Sequence, residues 1–585
     1  MRHLLDSGYS PAMARIFAAR GITDSKQLDT SLAGLLPFDS LKNAREMARM
    51  LADAIAARKK LMVIADYDAD GATACAVAVR GLRAFGANIG FIVPNRFEYG
   101  YGLTPEIVQL AASLPLRNGG GETSGAGGAA KQLLPQSAGY ASNESQLRPD
   151  ILITVDNGIA SIEGVAEANR LGMQVLVTDH HLPGDALPDA ACIVNPNQPG
   201  CGFPSKNLAG VGVMFYVLLA LRAELRACGA FAGHPEPKLG DLLDLVALGT
   251  VADVVKLDHN NRILVQQGLQ RIRAGRACAG INALLQVAKR DPSGVSSQDL
   301  GFTVGPRLNA AGRLDDMSLG IDCLLTDDAG KAKQIAAQLD ALNRERRTIE
   351  TDMQDNALAA LEDVDPKESY SLTLFDETWH QGVIGILASR LKDRFHRPTI
   401  AFARSNDGEL KGSGRSIGGL HMRDALDLVS KRHPSLIKKF GGHAAAAGLS
   451  IAESDFDKFV TAFERVSSEL LSDNDLAQRI ETDGALDHVE MNLEVARSLN
   501  EQVWGQGFPA PQFNDDFVVQ NQRVVGEKHL KLRLRLKEKP VEAILFGHNE
   551  PLPDRIHAVY SLSINDYNDN ISLQLIIRHW IPAGE

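Results

Sequence analysis

A chain of 585 residues is too long for one hydrophobic core, and at roughly 100–200 residues per domain it predicts three or four. Hydrophobic content of 44% and charged content of 23% are those of an ordinary globular protein, and a formal charge of −11 excludes a surface that is basic all over. Nucleic acid, if it is a ligand, must be met by local basic grooves.

The six cysteines (Cys75, Cys192, Cys201, Cys228, Cys278, Cys323) form no CxxC pair. That pattern predicts reduced thiols rather than disulfides or zinc ligands. With no apolar leader in Met1–Asp6 and no run of about 18 apolar residues, the expectation is a cytoplasmic protein without a membrane span.

Residues 1–45 read as short helices around Ser10-Pro11, without chemistry of their own, and the periodicity from Asn43 to Ala57 predicts an amphipathic helix. The next stretch organises the chain. Leu61-Met-Val-Ile-Ala65 is an apolar run of strand length, and it ends in Asp66-Tyr-Asp68-Ala-Asp70-Gly71. Alternating carboxylates repel one another unless a cation neutralises them, and hard oxygen donors suit Mg2+, Mn2+ or Ca2+. A calcium-binding EF-hand is excluded, because its twelfth position would be Val77 instead of a bidentate Glu and because a strand, not a helix, precedes the loop.

A helix over Ala72–Val79 and a strand over Asn88–Val93 complete a β-α-β unit, followed by Arg96 and Tyr101. Residues 117–148, rich in Gly, Ser, Asn and Gln, predict a flexible surface insertion. Three more strands follow: Ile151–Val155 ending in Asp156-Asn157-Gly158, Gln174–Thr178 ending in Asp179-His180-His181, and Ala191–Val194 ending in Asn195-Pro196. Adjacent parallel strands lie about 4.8 Å apart. Acids and histidines at the same ends can therefore share ions, in the place where open α/β sheets bind ligands.

Helical stretches over Leu208–Leu225 and Leu242–Leu248 lead to Asp253, an acid within an apolar run that is costly to bury unless paired or metal-bound. Gly301–Arg313 predicts a glycine-punctuated loop whose Arg307, Asn309 and Arg313 suit phosphate. Apolar positions from Ala329 to about Leu361 recur at helical spacing, which predicts one helix of ~30 residues, about 45 Å long. Residues 370–465 form a second α/β unit, with strands at Ser371–Phe375 and Thr399–Ala403 and a helix over Ile384–Phe395. Two glycine-rich signatures there, Lys411–Ser416 and Phe440–Gly448, cluster backbone N–H groups with Ser, Arg and His nearby and read as an anion cradle, with plain turns as the alternative. In the last unit His529–Lys537 alternates leucine with His529, Lys531, Arg533, Arg535 and Lys537, so a strand would bury one face and present a cationic stripe on the other.

Taken in order, Asp66-x-Asp68-x-Asp70-Gly, Val155-Asp156-Asn-Gly, Thr178-Asp179-His180-His181 and Val251-Ala-Asp253 resemble the motifs of the DHH phosphoesterase superfamily. Gly305-Pro-Arg307-Leu-Asn309-Ala-Ala-Gly-Arg313, Trp379-His-Gln-Gly, Gly412-Ser-Gly-Arg-Ser416 and Gly441-Gly-His443 resemble its RecJ branch, the single-stranded-DNA exonucleases. The likeness runs from about residue 45 to the end.

That resemblance implies an α/β protein: a DHH-type parallel-sheet catalytic domain at 46–327 after an N-terminal helical segment at 1–45, and a long connecting helix at 328–364. A DHHA1 α/β domain at 365–470 and a β-rich OB-like nucleic-acid-binding domain at 475–585 would complete it. It implies a metal-dependent 5′-to-3′ exonuclease that releases mononucleotides from single-stranded DNA in repair and recombination. Asp66, Asp68, Asp70, Asp156, His180 and Asp253 would hold two Mn2+ or Mg2+ ions, with Asp156 bridging and His181 contacting phosphate or handling a proton. Arg96, Ser413 and Arg415 would receive a 5′-phosphate, Tyr101 would stack a base, and Arg307, Asn309 and His443 would contact phosphates near the scissile bond. Lys531, Arg533 and Arg535 would track the strand. Single-stranded DNA is the implied partner, with a single-strand-binding protein and a helicase as candidate protein partners of a monomer.

Two features depart from the family pattern: the insertion at 117–148, and Trp504-Gly-Gln-Gly-Phe-Pro-Ala-Pro, which matches the corresponding family segment only loosely. A DHH phosphoesterase of short oligonucleotides or cyclic dinucleotides is the alternative, and it would need no basic-striped C-terminal unit. A noncatalytic scaffold on the same fold would have lost acidic ligands that are all present here.

Overall fold

The computed structural model describes residues 1–99, 102–114, 148–361, 368–405, 408–567 and 570–584. The glycine-rich segment expected to be a flexible insertion lies, but for Arg148, outside the described residues. The chain divides into two compact units, one formed by Met1–Gly312, Asp316–Asp340 and Glu481–Glu585, the other by Arg313–Asp315 and Ala341–Ile480.

In the first unit, β1 (Lys60–Ala65), β2 (Asn88–Ile92), β3 (Ile151–Val155), β4 (Gln174–Thr178) and β5 (Cys192–Val194) form a parallel sheet in the order β2-β1-β3-β4-β5. The register sets Ala65 beside Val155, Val155 beside Thr178 and Thr178 beside Val194. Asp66, Asp156 and Asp179 are thus the first residues past three neighbouring strands. Continuous apolar runs are what a sheet covered on both faces requires, and β1, β3 and β4 bury nearly every residue.

Gly301–Arg313, expected as a loop, is instead a π-helical turn over Leu300–Val304 running into a helix over Gly305–Leu314. Pro306, which has no N–H to give, stands where the π-helical turn passes into that helix. The expected long helix spans Ala329–Ala360, 32 residues, and passes from the first unit into the second.

The second unit contains β6 (Leu372–Phe375), β7 (Thr399–Arg404), β8 (Glu409–Arg415), β9 (Lys439–Gly442) and β10 (Ala446–Ala452), in the order β6-β7-β8-β10-β9. The two glycine-rich signatures are therefore largely strands. Their glycines answer to packing: a Cβ on Gly412 would lie 2.5 Å from the Phe402 ring. Within the long helix Arg346 is buried and paired with Glu350 at 2.7 Å, and Glu350 also meets Arg390 at 2.9 Å, so a polar position in an apolar stripe is satisfied inside the unit.

The C-terminal strands β11 (Phe513–Val525), β12 (His529–Leu536), β13 (Lys539–Leu545), β14 (Arg555–Tyr567) and β15 (Asn570–Pro582) close into a barrel in the order β11-β12-β13-β15-β14. The N-terminal helix Pro11–Ala19 packs on the segment leading into that barrel. Ala12 N–H donates to Glu490 at 2.8 Å, Arg20 pairs with Asp483 at 2.7 Å, and Phe17 stacks on Trp504 with centroids 6.2 Å apart. The six cysteines are free, and among the described residues no helix is long and apolar enough to cross a membrane.

Candidate metal centre

Backbone geometry delivers the ligands. Asp156 holds a left-handed conformation at φ 63°, which Asp tolerates better than most residues and which turns the chain off the end of β3. Asn157, unremarked in sequence, ties that corner down by donating from Nδ2 to the carbonyls of Val155 at 2.9 Å and Ile64 at 3.2 Å. Asp68 caps the helix Ala69–Ala84 by accepting from Asp70 N–H at 2.9 Å and Gly71 N–H at 3.0 Å.

Donor atoms converge in three overlapping groups, Asp66 with Asp68 and Asp156, Asp70 with His180 and Asp253, and Asp156 with His180 and His181, each with its atoms within 4.8 Å of one another. Asp156 and His180 are each shared by two groups, the arrangement that a pair of ions with a common ligand requires. His180 Nε2 lies 3.1 Å from Asp156 Oδ1 and 3.6 Å from Asp253 Oδ2 and makes a hydrogen bond to neither. Carboxylate oxygens dominate, with imidazole in the minority, so the donor set fits Mn2+ or Mg2+ better than a closed structural zinc site.

Asp70 is a special member. Both of its oxygens accept from the start of the helix Gly210–Ala227, with Gly210 N–H at 2.6 Å and Val211 N–H at 3.0 Å. Its charge thus also faces the positive end of that helix dipole.

Asp179, whose role the sequence left unassigned, orients the histidines. Its buried carboxylate accepts from Ile159 N–H at 2.9 Å, His180 N–H at 2.7 Å and His181 N–H at 3.1 Å, and its Oδ1 lies 2.7 Å from His181 Nδ1. Burial opposes a charge on His181, but the Asp179 carboxylate outweighs it and holds the imidazolium up to about 9. Burial, together with its cationic neighbour His181, pushes His180 the other way, towards the neutral form that a metal ligand needs.

Burial, then mutual repulsion, raises the carboxyls: Asp70 to about 8, Asp253 to about 7, and Asp156 well above the ordinary range. An unfolded Asp ionises near about 3.9. In the folded metal-free protein these carboxyls thus hold protons that the unfolded chain has released, and their contribution to stability falls as pH rises from about 4 through 8. Bound cations remove that penalty. Mn2+ is expected to raise Tm by several degrees at pH 8 and by clearly less at pH 5.5; equal gains at both values would contradict the assignment.

The remaining expected contacts are placed as follows. Arg307 is nearly buried, with Nε and Nη2 each 2.9 Å from Asp340 Oδ1 and Nη1 donating to the Thr303 carbonyl at 2.6 Å. Asn309 Oδ1 accepts from Ala69 N–H at 2.8 Å, so it fixes the acidic loop from the far side. In the second unit Arg415 Nη1 donates to Ser413 Oγ at 3.1 Å and to the Gly414 carbonyl at 2.8 Å, near the first turn of the helix Ile384–Phe395. His443 is exposed, its N–H donating to the Ala446 carbonyl at 2.8 Å. The Arg96 side chain and Tyr101 lie outside the described residues.

On the barrel, Leu530, Leu532, Leu534 and Leu536 are buried and the residues between them are not, as the alternation requires. The stripe is less purely cationic than its own strand suggests. Glu542 on β13 stands opposite Arg533 and 3.7 Å from Lys531, while Arg523 on β11 stands opposite Lys531 and adds a cation that the strand alone could not reveal.

Family models match in the same order as the three sheets: the DHH family N-terminal domain over residues 60–250, the DHHA1 domain over 368–469 and the RecJ OB domain over 482–579. The single-stranded-DNA-specific exonuclease RecJ of Dickeya dadantii is 47% identical over 97% of this chain and 96% of its own length. That of Escherichia coli is 46% identical over 98% and 96%. The chain belongs to the RecJ family. A crystal structure of RecJ from Thermus thermophilus in complex with Mn2+ superposes with a TM-score of 0.79 at 29% identity, covering 100% of this chain and 78% of that one. A RecJ structure from the same organism contains Mg2+. Both RecJ structures carry the class of ion that the oxygen-rich donor set here selects. The fold is accordingly a DHH domain, a DHHA1 domain and an OB barrel.

Proposed function

We propose that the protein is a metal-dependent exonuclease that hydrolyses single-stranded DNA from its 5′ end and releases mononucleotides, acting in DNA repair and recombination. One observation carries this reading: Asp66, Asp68, Asp156, His180 and Asp253 converge at the carboxyl ends of a parallel sheet in a member of the RecJ family. Two divalent ions held there supply neutralisation of the scissile phosphate and a bound water acidified towards neutral pH.

The chain's own residues do the rest. Asp179 fixes the imidazole of His181 through Nδ1 and keeps it charged, so its Nε2 edge suits a phosphate oxygen or the departing 3′-oxygen. Ser413 and Arg415, on one strand of the DHHA1 sheet, form a compact donor pair suited to a terminal phosphate. By the resemblance to the family, Arg96 would serve a 5′-phosphate, Tyr101 would stack a base, and Asn309 and His443 would each contact a phosphate near the scissile bond. Arg307 reaches a phosphate by exchanging part of its contact with Asp340.

The barrel supplies the strand platform, which speaks against a phosphoesterase limited to short oligonucleotides or cyclic dinucleotides. Changing Lys531, Arg533 and Arg535 together to Gln is expected to flatten the salt dependence of long-strand binding by up to about 2 units in log K per log salt. Turnover of an oligonucleotide too short to reach the barrel stays within about twofold, and stability moves little because none of these side chains is buried. Equal losses on short and long substrates would place the platform elsewhere. In this reading the protein works as a monomer, with a helicase and a single-strand-binding protein delivering the strand. Titrating wild-type protein against 5′- and 3′-labelled strands and scoring which end is lost first tests the polarity.

A further inference from the structure

Three apolar side chains stand exposed on segments that carry or pack against the charged centre. Phe302 is 78% exposed, Val254 63% and Leu182 62%. Leu182 follows His181 directly, and Val254 follows Asp253. Phe302 sits on the π-helical turn Leu300–Val304, which packs against the end of the helix Leu243–Ala252. The approach is close: a Cβ on Gly301 would lie 3.1 Å from Val251 Cγ1, and one on Gly305 would lie 3.2 Å from Ala252 Cβ. Val251 and Ala252 are the two residues before Asp253. The same turn carries Thr303, whose carbonyl receives Arg307. Phe302 is therefore mounted on a turn that packs against the segment leading into Asp253 and whose Thr303 carbonyl receives Arg307.

Single exposed apolar residues are common on protein surfaces and need no explanation. Two features set this group apart. Val254 holds a left-handed conformation at φ 63°, which a β-branched residue adopts only at a cost. And the π-helical turn, a geometry that recurs at functional sites, raises its aromatic side chain into solvent instead of burying it. In a site whose other groups bind phosphate and cations, the apolar part of a nucleotide is the base.

We infer that Phe302 is the stacking surface for the base of a nucleotide near the scissile phosphate, and that it contributes to selection of single strands. A base inside a duplex has both faces covered by its neighbours, whereas an unpaired base can lay one face on the ring. The contact reads no base edge, so it discriminates strandedness and not sequence. This inference rests on the exonuclease reading above.

The test uses the full-length protein and single-stranded oligonucleotides in Mn2+, either with all bases present or with one abasic tetrahydrofuran unit stepped through the first positions. Wild type is expected to show a KM raised roughly 10-fold or more when the abasic unit occupies the position served by Phe302. Phe302→Ala should show that higher KM on both substrates with kcat little changed, and Phe302→Trp should restore the difference. Tm should be unchanged in both variants, because the ring is exposed. Wild-type KM for Phe302→Ala on the intact strand, a further loss on the abasic one, or a fall in Tm of several degrees would each overturn the assignment. If wild type digests no single strands at all, the exonuclease reading itself fails; normal digestion indifferent to Phe302 removes only the stacking site.

Discussion

Asp156→Ala is expected to lower kcat on single-stranded DNA by about 10³-fold or more, the several kcal/mol that metal-held charge contributes to such a transition state. Asp156 belongs both to the donor group with Asp66 and Asp68 and to the one with His180 and His181, so its loss disturbs both. Binding of the strand, measured by fluorescence anisotropy, should fall far less, because the DHHA1 and barrel contacts remain. The metal-free variant should lose little stability relative to metal-free wild type, since removing a buried acid among Asp66, Asp68, Asp70 and Asp253 offsets the cost of Ala at φ 63°. Digestion at near wild-type rate would refute the shared-ligand geometry.

Gly210→Ala is the second large effect, at a residue with no functional group. A Cβ at Gly210 would lie 2.6 Å from Asp156 Cβ and 2.7 Å from Asp156 Oδ1, too close for either atom to stay in place. The same residue donates its N–H to Asp70 at 2.6 Å. One methyl group thus displaces one ligand and loosens the cap on another. A misplacement of about 1 Å at a reacting centre costs on the order of 100-fold in kcat. Overpacking should cost roughly 1–3 kcal/mol of stability, a fall in Tm of a few degrees for a chain this large. The pairing of a large kcat loss with a modest Tm loss, read from kinetics and calorimetry on one preparation, distinguishes this from general unfolding. Unchanged kcat would show that the helix start can retreat and that Asp156 is not held by it.

Much of the centre was legible in the chain because parallel strands announce themselves twice, as apolar runs and as the polar residues that end them. Asp66, Asp156 and His180 could be paired across more than a hundred residues on that basis, and Asp253 stood out as an acid closing an apolar helical run. The groups that position them could not. Asp179 and Asn157 act through backbone amides and carbonyls, and a carboxylate that accepts three N–H groups looks in sequence like any other acid. Gly210 matters through a distance, which no pattern carries.

Misreadings have the same origin. Glycines suggest a loop at Gly301–Arg313 and leave a plain turn open at Lys411–Ser416, but in both places glycine answers to a neighbour packed closely against it: Val251 in one, Phe402 in the other. The partial neutralisation of the cationic stripe by Glu542 is a cross-strand pairing, invisible along one strand. The docking of the N-terminal helix on residues 483–509 joins opposite ends of the chain, and nothing local in either segment marks it.

The most direct measurement is digestion of one oligonucleotide, end-labelled and 5′-phosphorylated, alone or annealed to its complement, by wild-type protein with Mn2+, with Mg2+ or with chelator. The geometry predicts metal-dependent release of mononucleotides from the single strand, far slower attack on the duplex and no product in chelator. Hydrolysis that persists in chelator, or that consumes the duplex as fast as the single strand, would contradict a two-ion centre serving a single-strand exonuclease.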